Sequence, residues 1–169
     1  MTLVVEDGTG LANANTYASA GDADDYADAK GWTEWAALTA PQKEAALIEA
    51  TVYLDSSFEF IGDLYISTQA LNWPRVDAYD RQGRHYEALP QRIVDVCIEL
   101  AYLARSGPLV ASITEASLKK IKAGPVELEY TAAGSVVNEG DKVAWINRMI
   151  GPLIKGSASG SANVSFLKA

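Results

Sequence analysis

Thr39-Ala40-Pro41-Gln42-Lys43-Glu44-Ala45-Ala46-Leu47-Ile48-Glu49-Ala50 is the stretch that decides the fold class. Thr39 and Gln42 have capping-box spacing, which satisfies backbone N–H groups that the first helical turn leaves without partners. Pro41 fits that turn, because its missing N–H costs nothing there. Strong helix formers follow, and Leu47, Ile48, Thr51, Tyr53 and Leu54 recur at three-to-four spacing. The segment therefore predicts a helix over about 40–58 with an apolar stripe.

Working outward, Ser19 and Asp22 repeat the cap signal and predict a helix near 19–29, closed by Gly31. Residues 2–6 read as a short strand that turns through Asp7-Gly8-Thr9-Gly10. Trp32, Trp35 and Leu38 lead into the central helix. Residues 61–89 read as irregular, punctuated by Gly62, Pro74 and Gly83. Pro90 opens a helix over about 90–106, with Ile93, Val96, Cys97, Leu100, Leu103 and Ala104 on its buried face. Ser106-Gly107-Pro108 ends it.

Two runs flank Ala123-Gly124-Pro125 and read as a β-hairpin over about 117–131. The lysines of the first run, Lys120 and Lys122 among them, face Glu127 and Glu129 of the second. Each such pair favours pairing by up to about 1 kcal/mol. A last helix over about 141–154 carries Val143, Ile146, Ile150 and Leu153, and Gly151-Pro152 kinks it or ends it early. The expected fold is mainly α: a small bundle of about four helices with one β-hairpin and an extended C-terminal tail. Residues 1–155 form the helical domain. Residues 156–169 are a Gly/Ser linker followed by an apolar end, Val164, Phe166 and Leu167, that suits a docking tail.

The chain has 169 residues, is 49% hydrophobic and carries a formal charge of −8. That hydrophobic content is too high for a disordered chain. The charge argues against a free-standing DNA binder, since affinity for phosphates comes mainly from Lys and Arg. The single cysteine, Cys97, excludes an intramolecular disulfide and reads as a buried thiol. The N-terminus has no signal-peptide pattern, and no window approaches a membrane span. The expectation is a protein made in a cytoplasm, with no membrane partner.

Catalytic and cofactor motifs fail on spacing. Gly8-Thr9-Gly10 begins a dinucleotide fingerprint, but Asn13 stands where its third glycine belongs. Asp22, Asp24, Asp25 and Asp28 lack the glycine of a calcium loop, and acids suit a helix N-terminus in any case. His85 is the only histidine and cannot build a multi-histidine metal site. No Gly-x-Ser-x-Gly elbow exists. No catalytic residue, cofactor or metal is expected. Trp73 with Arg75, Arg81 and Arg84 could stack on and grip single-stranded bases. The competing reading makes Trp73 a core anchor and pairs the arginines with Asp77 and Asp80.

Taken in order, several segments resemble a known family. They are Val5-Glu6-Asp7-Gly8-Thr9-Gly10, Trp35-Ala36-Ala37-Leu38-Thr39, Gln42 to Ile48, Ala50 to Asp55, Gln69-Ala70-Leu71-Asn72-Trp73-Pro74-Arg75, and Lys122 to Tyr130. Together they look like the tailed-phage head-tail connector (adaptor, or head-completion) proteins, whose members often carry a DnaT-like single-stranded DNA-binding label. The resemblance runs to about Leu153. It implies a structural virion protein, assembled in the host cytoplasm, forming a ring, commonly dodecameric, below the portal. Such a ring extends the DNA channel, lets double-stranded DNA pass without specific binding, and offers a docking surface to a tail or stopper protein. The expected partner-binding residues are Val164, Phe166 and Leu167 of the tail, Trp73 and Arg75 of the loop, and Lys120, Lys122, Glu127 and Glu129 of the hairpin. The other label implies a single-stranded DNA-binding module instead.

Overall fold

The computed structural model describes residues 2–109, 120–123, 126–129 and 139–155. Helix α1 (Ala20–Lys30) starts where its cap signal stands. Ser19 Oγ accepts from the Asp22 amide at 3.0 Å, and the Asp22 carboxylate accepts from the Ser19 amide at 3.2 Å. Gly31 closes the helix at φ 71°, a left-handed conformation that glycine adopts without strain.

A one-turn helix α2 (Thr33–Ala36) stands in the lead-in to the central helix, where no separate element is expected, and buries Trp35. Its indole N–H donates to Asp24 at 2.8 Å, and the Lys43 ammonium reaches the same carboxylate oxygen at 2.7 Å. Helix α3 (Ala40–Ser57) begins with the Gln42 side chain accepting from both the amide and the hydroxyl of Thr39, each at 2.9 Å.

The N-terminal segment is not a strand. It makes one parallel bridge, Val5 to Thr16, fastened by the Glu6 amide on the Thr16 carbonyl at 2.9 Å. The physical reason lies in Glu6. Its side chain is buried and accepts from the amides of Gly8, Gly10 and Leu11, each at 2.9 Å. Three charge-assisted bonds wind the chain into a loop around that carboxylate, and an extended strand would leave it buried without donors. Gly8-Thr9-Gly10 is therefore a carboxylate-centred turn, with φ 92° at Gly8 and 78° at Gly10.

The segment read as irregular holds two small antiparallel pairs. Strand β1 (Asp63–Leu64) pairs with β2 (Arg75–Val76), and β3 (Ala78–Tyr79) pairs with β4 (His85–Tyr86). Two-residue strands carry too little alternation to be read in sequence. Helix α4 (Gln91–Ala104) follows Pro90. Strands β5 (Lys120–Ala123) and β6 (Val126–Glu129) form the expected hairpin, with Lys120 opposite Glu129 and Lys122 opposite Glu127. Helix α5 (Glu139–Ile150) gives way to a 3₁₀ turn over Gly151–Leu153, at the Gly-Pro pair expected to end it.

The fold is mainly helical, as expected. Its core lies where α3 and α4 meet: Leu47, Ala50 and Leu54 against Ile93, Val96, Cys97, Leu100 and Ala101, all buried. Alanines 23 and 27 give α1 a flat inner face, while Ile146, Ile150 and Leu153 close the far side against α4. Each fully buried leucine or isoleucine contributes about 1.5–3 kcal/mol. Four members of the expected stripes, Ile48, Tyr53, Leu103 and Ala104, are only half-buried, and of these Tyr53 and Ala104 pack against this core. Cys97 is buried as expected, and burial pushes its thiol pKa up, which leaves it a packing group beside Thr51.

Candidate functional site

The loop between α3 and α4 carries every candidate site residue of residues 60–90, and a buried polar node holds it to the helices. Tyr17, buried to within 1% of its surface, donates to the Asp55 carboxylate at 2.6 Å and accepts from the Trp73 amide at 3.1 Å. The Asn72 amide reaches the other Asp55 oxygen at 3.0 Å. Burial pushes the Asp55 carboxyl above its ordinary range, against the hydrogen bonds from Tyr17 and Asn72. Burial likewise raises the Tyr17 hydroxyl, which stays protonated and able to donate.

Two residues expected to meet a partner are used inside this anchor. Trp73 is fully buried, with its ring edge-on to Phe60 at 5.9 Å. It is the core anchor of the competing reading, and its indole is not available to a base or a neighbouring chain. Arg75 does not pair with an acid. Its guanidinium donates to three carbonyls, those of Ile61 at 2.7 Å, Gly62 at 2.7 Å and Asn72 at 3.1 Å. A fork of fixed donors suits that task, so Arg75 stitches the loop and has little left for a phosphate.

What the loop exposes is different. Leu64, Tyr65, Ile66, Val76 and Tyr79 are five of the six large apolar side chains that are exposed among the described residues; the sixth is Val52 on α3. Tyr79 stacks on His85 across the β3–β4 pair, with ring centroids 4.6 Å apart. The turn of that hairpin is built on Asp80. Its carboxylate accepts the Gln82 and Arg84 amides, each at 2.9 Å, and the Tyr86 hydroxyl at 3.2 Å. These donors, the Arg84 amide foremost, hold the Asp80 carboxyl below its ordinary range. Arg84 Nε lies 3.8 Å from it, the one arginine pairing foreseen in sequence that forms among the described residues.

Behind the turn opens a groove of about 370 Å³ lined by Asp80, Arg81, Arg84, Tyr86, Arg92 and Pro152. Arg92 comes from the first turn of α4 and donates to the Met149 carbonyl at 3.0 Å, which fixes it against α5. Sequence reading found Arg81 and Arg84 but missed Arg92, Tyr79 and Tyr86. The available signal was Asp80 and Gly83, which have the first and last positions of a type I turn. Gly83 indeed donates to the Asp80 carbonyl at 2.9 Å with φ 78°.

The four hairpin residues Lys120, Lys122, Glu127 and Glu129 are brought together by the β5–β6 register. Val164, Phe166 and Leu167 lie outside the described residues. Asp22 is spent on its cap and Asp24 on Trp35 and Lys43. Among the described residues no three metal-binding side chains gather in one place, and no helix is long and apolar enough to cross a membrane.

Fold and surface thus define a mainly helical domain in which five of the six exposed large apolar side chains among the described residues lie on one stapled loop. The family described as "Putative DnaT-like ssDNA binding protein" matches residues 1–168, and the chain belongs to that family. No curated protein and no solved structure matches the chain.

Proposed function

We propose that the chain is a structural virion protein, a head-tail connector that assembles as a ring below a phage portal and extends the DNA channel. The observation that carries this reading is the loop surface, where large apolar side chains are exposed between Leu64 and Tyr79. Exposed side chains of this size suit contact with another protein surface. The formal charge of −8 supports it, since walls of like charge let DNA slide without sticking. The loss of Trp73 and Arg75 to internal structure removes half of the nucleic-acid constellation drawn from sequence. The ring, its portal and its tail-side partner follow from the resemblance of the sequence segments.

Co-sedimentation with the portal protein of the same genome tests the proposal. The chain should travel with the portal at fixed stoichiometry. Tyr65→Ser with Ile66→Ser should remain folded and lose that association. A double variant that still binds as tightly as the parent would remove the loop from the interface.

A second reading, single-stranded DNA binding, is favoured by the description of the family. Its remaining support is the arginine groove beside β3–β4.

A further inference from the structure

The groove behind the β3–β4 turn is cationic in a chain whose formal charge is −8. Arg81, Arg84 and Arg92 line it together with one acid, Asp80. Asp80 is already engaged by two turn amides and the Tyr86 hydroxyl. Arg84 Nε approaches it only to 3.8 Å, and the Arg84 side chain stays 63% exposed. Arg92 is held by the Met149 carbonyl and has Asp95 beside it in the adjoining depression. The charge left without a counterpart is therefore that of Arg81 and Arg84, both exposed and three residues apart across the turn.

The complementary surface is on α1, whose run from 22 to 28 holds Asp22, Asp24, Asp25 and Asp28. Asp22 serves the cap, and Asp24 holds Trp35 and Lys43. Asp25 and Asp28 are exposed and share the face opposite the buried Ala23 and Ala27. Among the described residues neither of them, nor Arg81, enters an ion pair. At i and i+3 on a helix the two aspartates are neighbours, with Cβ atoms about 5–6 Å apart. Two adjacent carboxylates suit two adjacent guanidinium forks. The chain does not fill its own groove. Helix α1 turns Tyr26 and Lys30 onto Glu99 of α4, about two turns from Arg92, and its acidic face lies on the far side.

We infer that the Arg81–Arg84 groove of one copy receives the Asp25–Asp28 face of α1 from a second copy of this chain. The two surfaces differ, so the contact is heterologous. Each copy offers one groove and one acidic face, and a closed ring leaves neither unused. The inference rests on the connector reading and names the contact between neighbours in its ring.

Reciprocal charge reversal tests it, read by sedimentation velocity of the full chain at up to about 1 mM. The parent should self-associate, and raising salt from about 50 to about 500 mM should weaken that association several-fold. Arg81→Glu with Arg84→Glu, and separately Asp25→Arg with Asp28→Arg, should each keep the parent melting temperature and associate at least about ten-fold more weakly. Mixed in equal amounts, the two variants should associate within about three-fold of the parent, because every contact between unlike copies again joins opposite charges. A parent that stays monomeric, or a mixture that associates no better than either variant alone, overturns the contact. The connector reading survives that result if the chain still stacks on the portal. Bare portals beside a parent that self-associates through this contact overturn the connector reading and keep the contact. Arginine reversal that abolishes binding of tripolyphosphate while self-association persists gives the groove to a phosphate ligand and overturns the contact.

Discussion

Tyr17→Phe removes one oxygen and should loosen the whole loop that carries the candidate surfaces. In the parent that hydroxyl donates to Asp55 at 2.6 Å and accepts the Trp73 amide at 3.1 Å. The first bond involves a carboxylate, and such bonds contribute about 1.5–3 kcal/mol. The second satisfies a backbone N–H beside a fully buried indole, and leaving that donor bare costs about 1–3 kcal/mol. The two effects share one oxygen and are not additive, so the expected loss is about 2–4 kcal/mol. For a chain of this size that is a fall of roughly 5–15 °C in melting temperature. Phenylalanine keeps the ring, so no cavity forms and the loss reports the polar node. Urea denaturation with matched thermal melts is the assay, and the slope against urea should not change. A loss under about 0.5 kcal/mol would refute the node as the anchor of the loop.

Further outcomes follow from the same geometry. Arg75→Ala should destabilise by about 2–4 kcal/mol, because three carbonyls lose a charged donor, and Arg75→Lys should recover only part of it; chemical denaturation reads both. Gly62→Ala should cost at least about 1–3 kcal/mol, since Gly62 has φ 73° and an added Cβ would lie 2.3 Å from the Val76 carbonyl oxygen. Carbon-13 titration of the carboxyl groups should separate two aspartates. Burial pushes Asp24 up, but the bonds from Lys43 and Trp35 outweigh it and hold its pKa low. Its stabilising contribution is therefore present above the unfolded value and lost as pH falls through the folded one. Burial raises Asp55, so its contribution is present below the unfolded value and lost as pH rises through the folded one. Removing residues 157–169 should leave the melting temperature unchanged and abolish portal docking; a truncated chain that still docks would exclude the tail from that contact.

Local rules made the helices legible. The caps at Ser19 and Thr39 are satisfied by atoms within three residues, so tertiary context could not override them. The β5–β6 register followed from the Lys/Glu alternation, because a slip of one residue would put unlike faces together. The loop was opaque for the opposite reason. Its order comes from partners distant in sequence: Tyr17 is 38 residues from Asp55 and 56 from Trp73. Glu6 shows the same limit on a smaller scale. A lone glutamate after two valines looks like the polar face of a strand, and nothing in its neighbours announces that it will collect three amides.

The site divides along the same line. Trp73-Pro74-Arg75 drew attention as a candidate contact because tryptophan and arginine are rich in binding chemistry. The structure spends the tryptophan on core packing and the arginine on backbone carbonyls, uses that composition does not distinguish from recognition. Arg92 was hidden for a simpler reason. It reads as one polar residue of an amphipathic helix, and only the approach of the β3–β4 turn makes it the third arginine of a groove.

Electron microscopy of the chain mixed with the portal of the same genome tests the central proposal most directly. The connector reading predicts an added ring of density stacked on the portal, whose symmetry gives the copy number. Bare portals beside a well-folded monomer would contradict it.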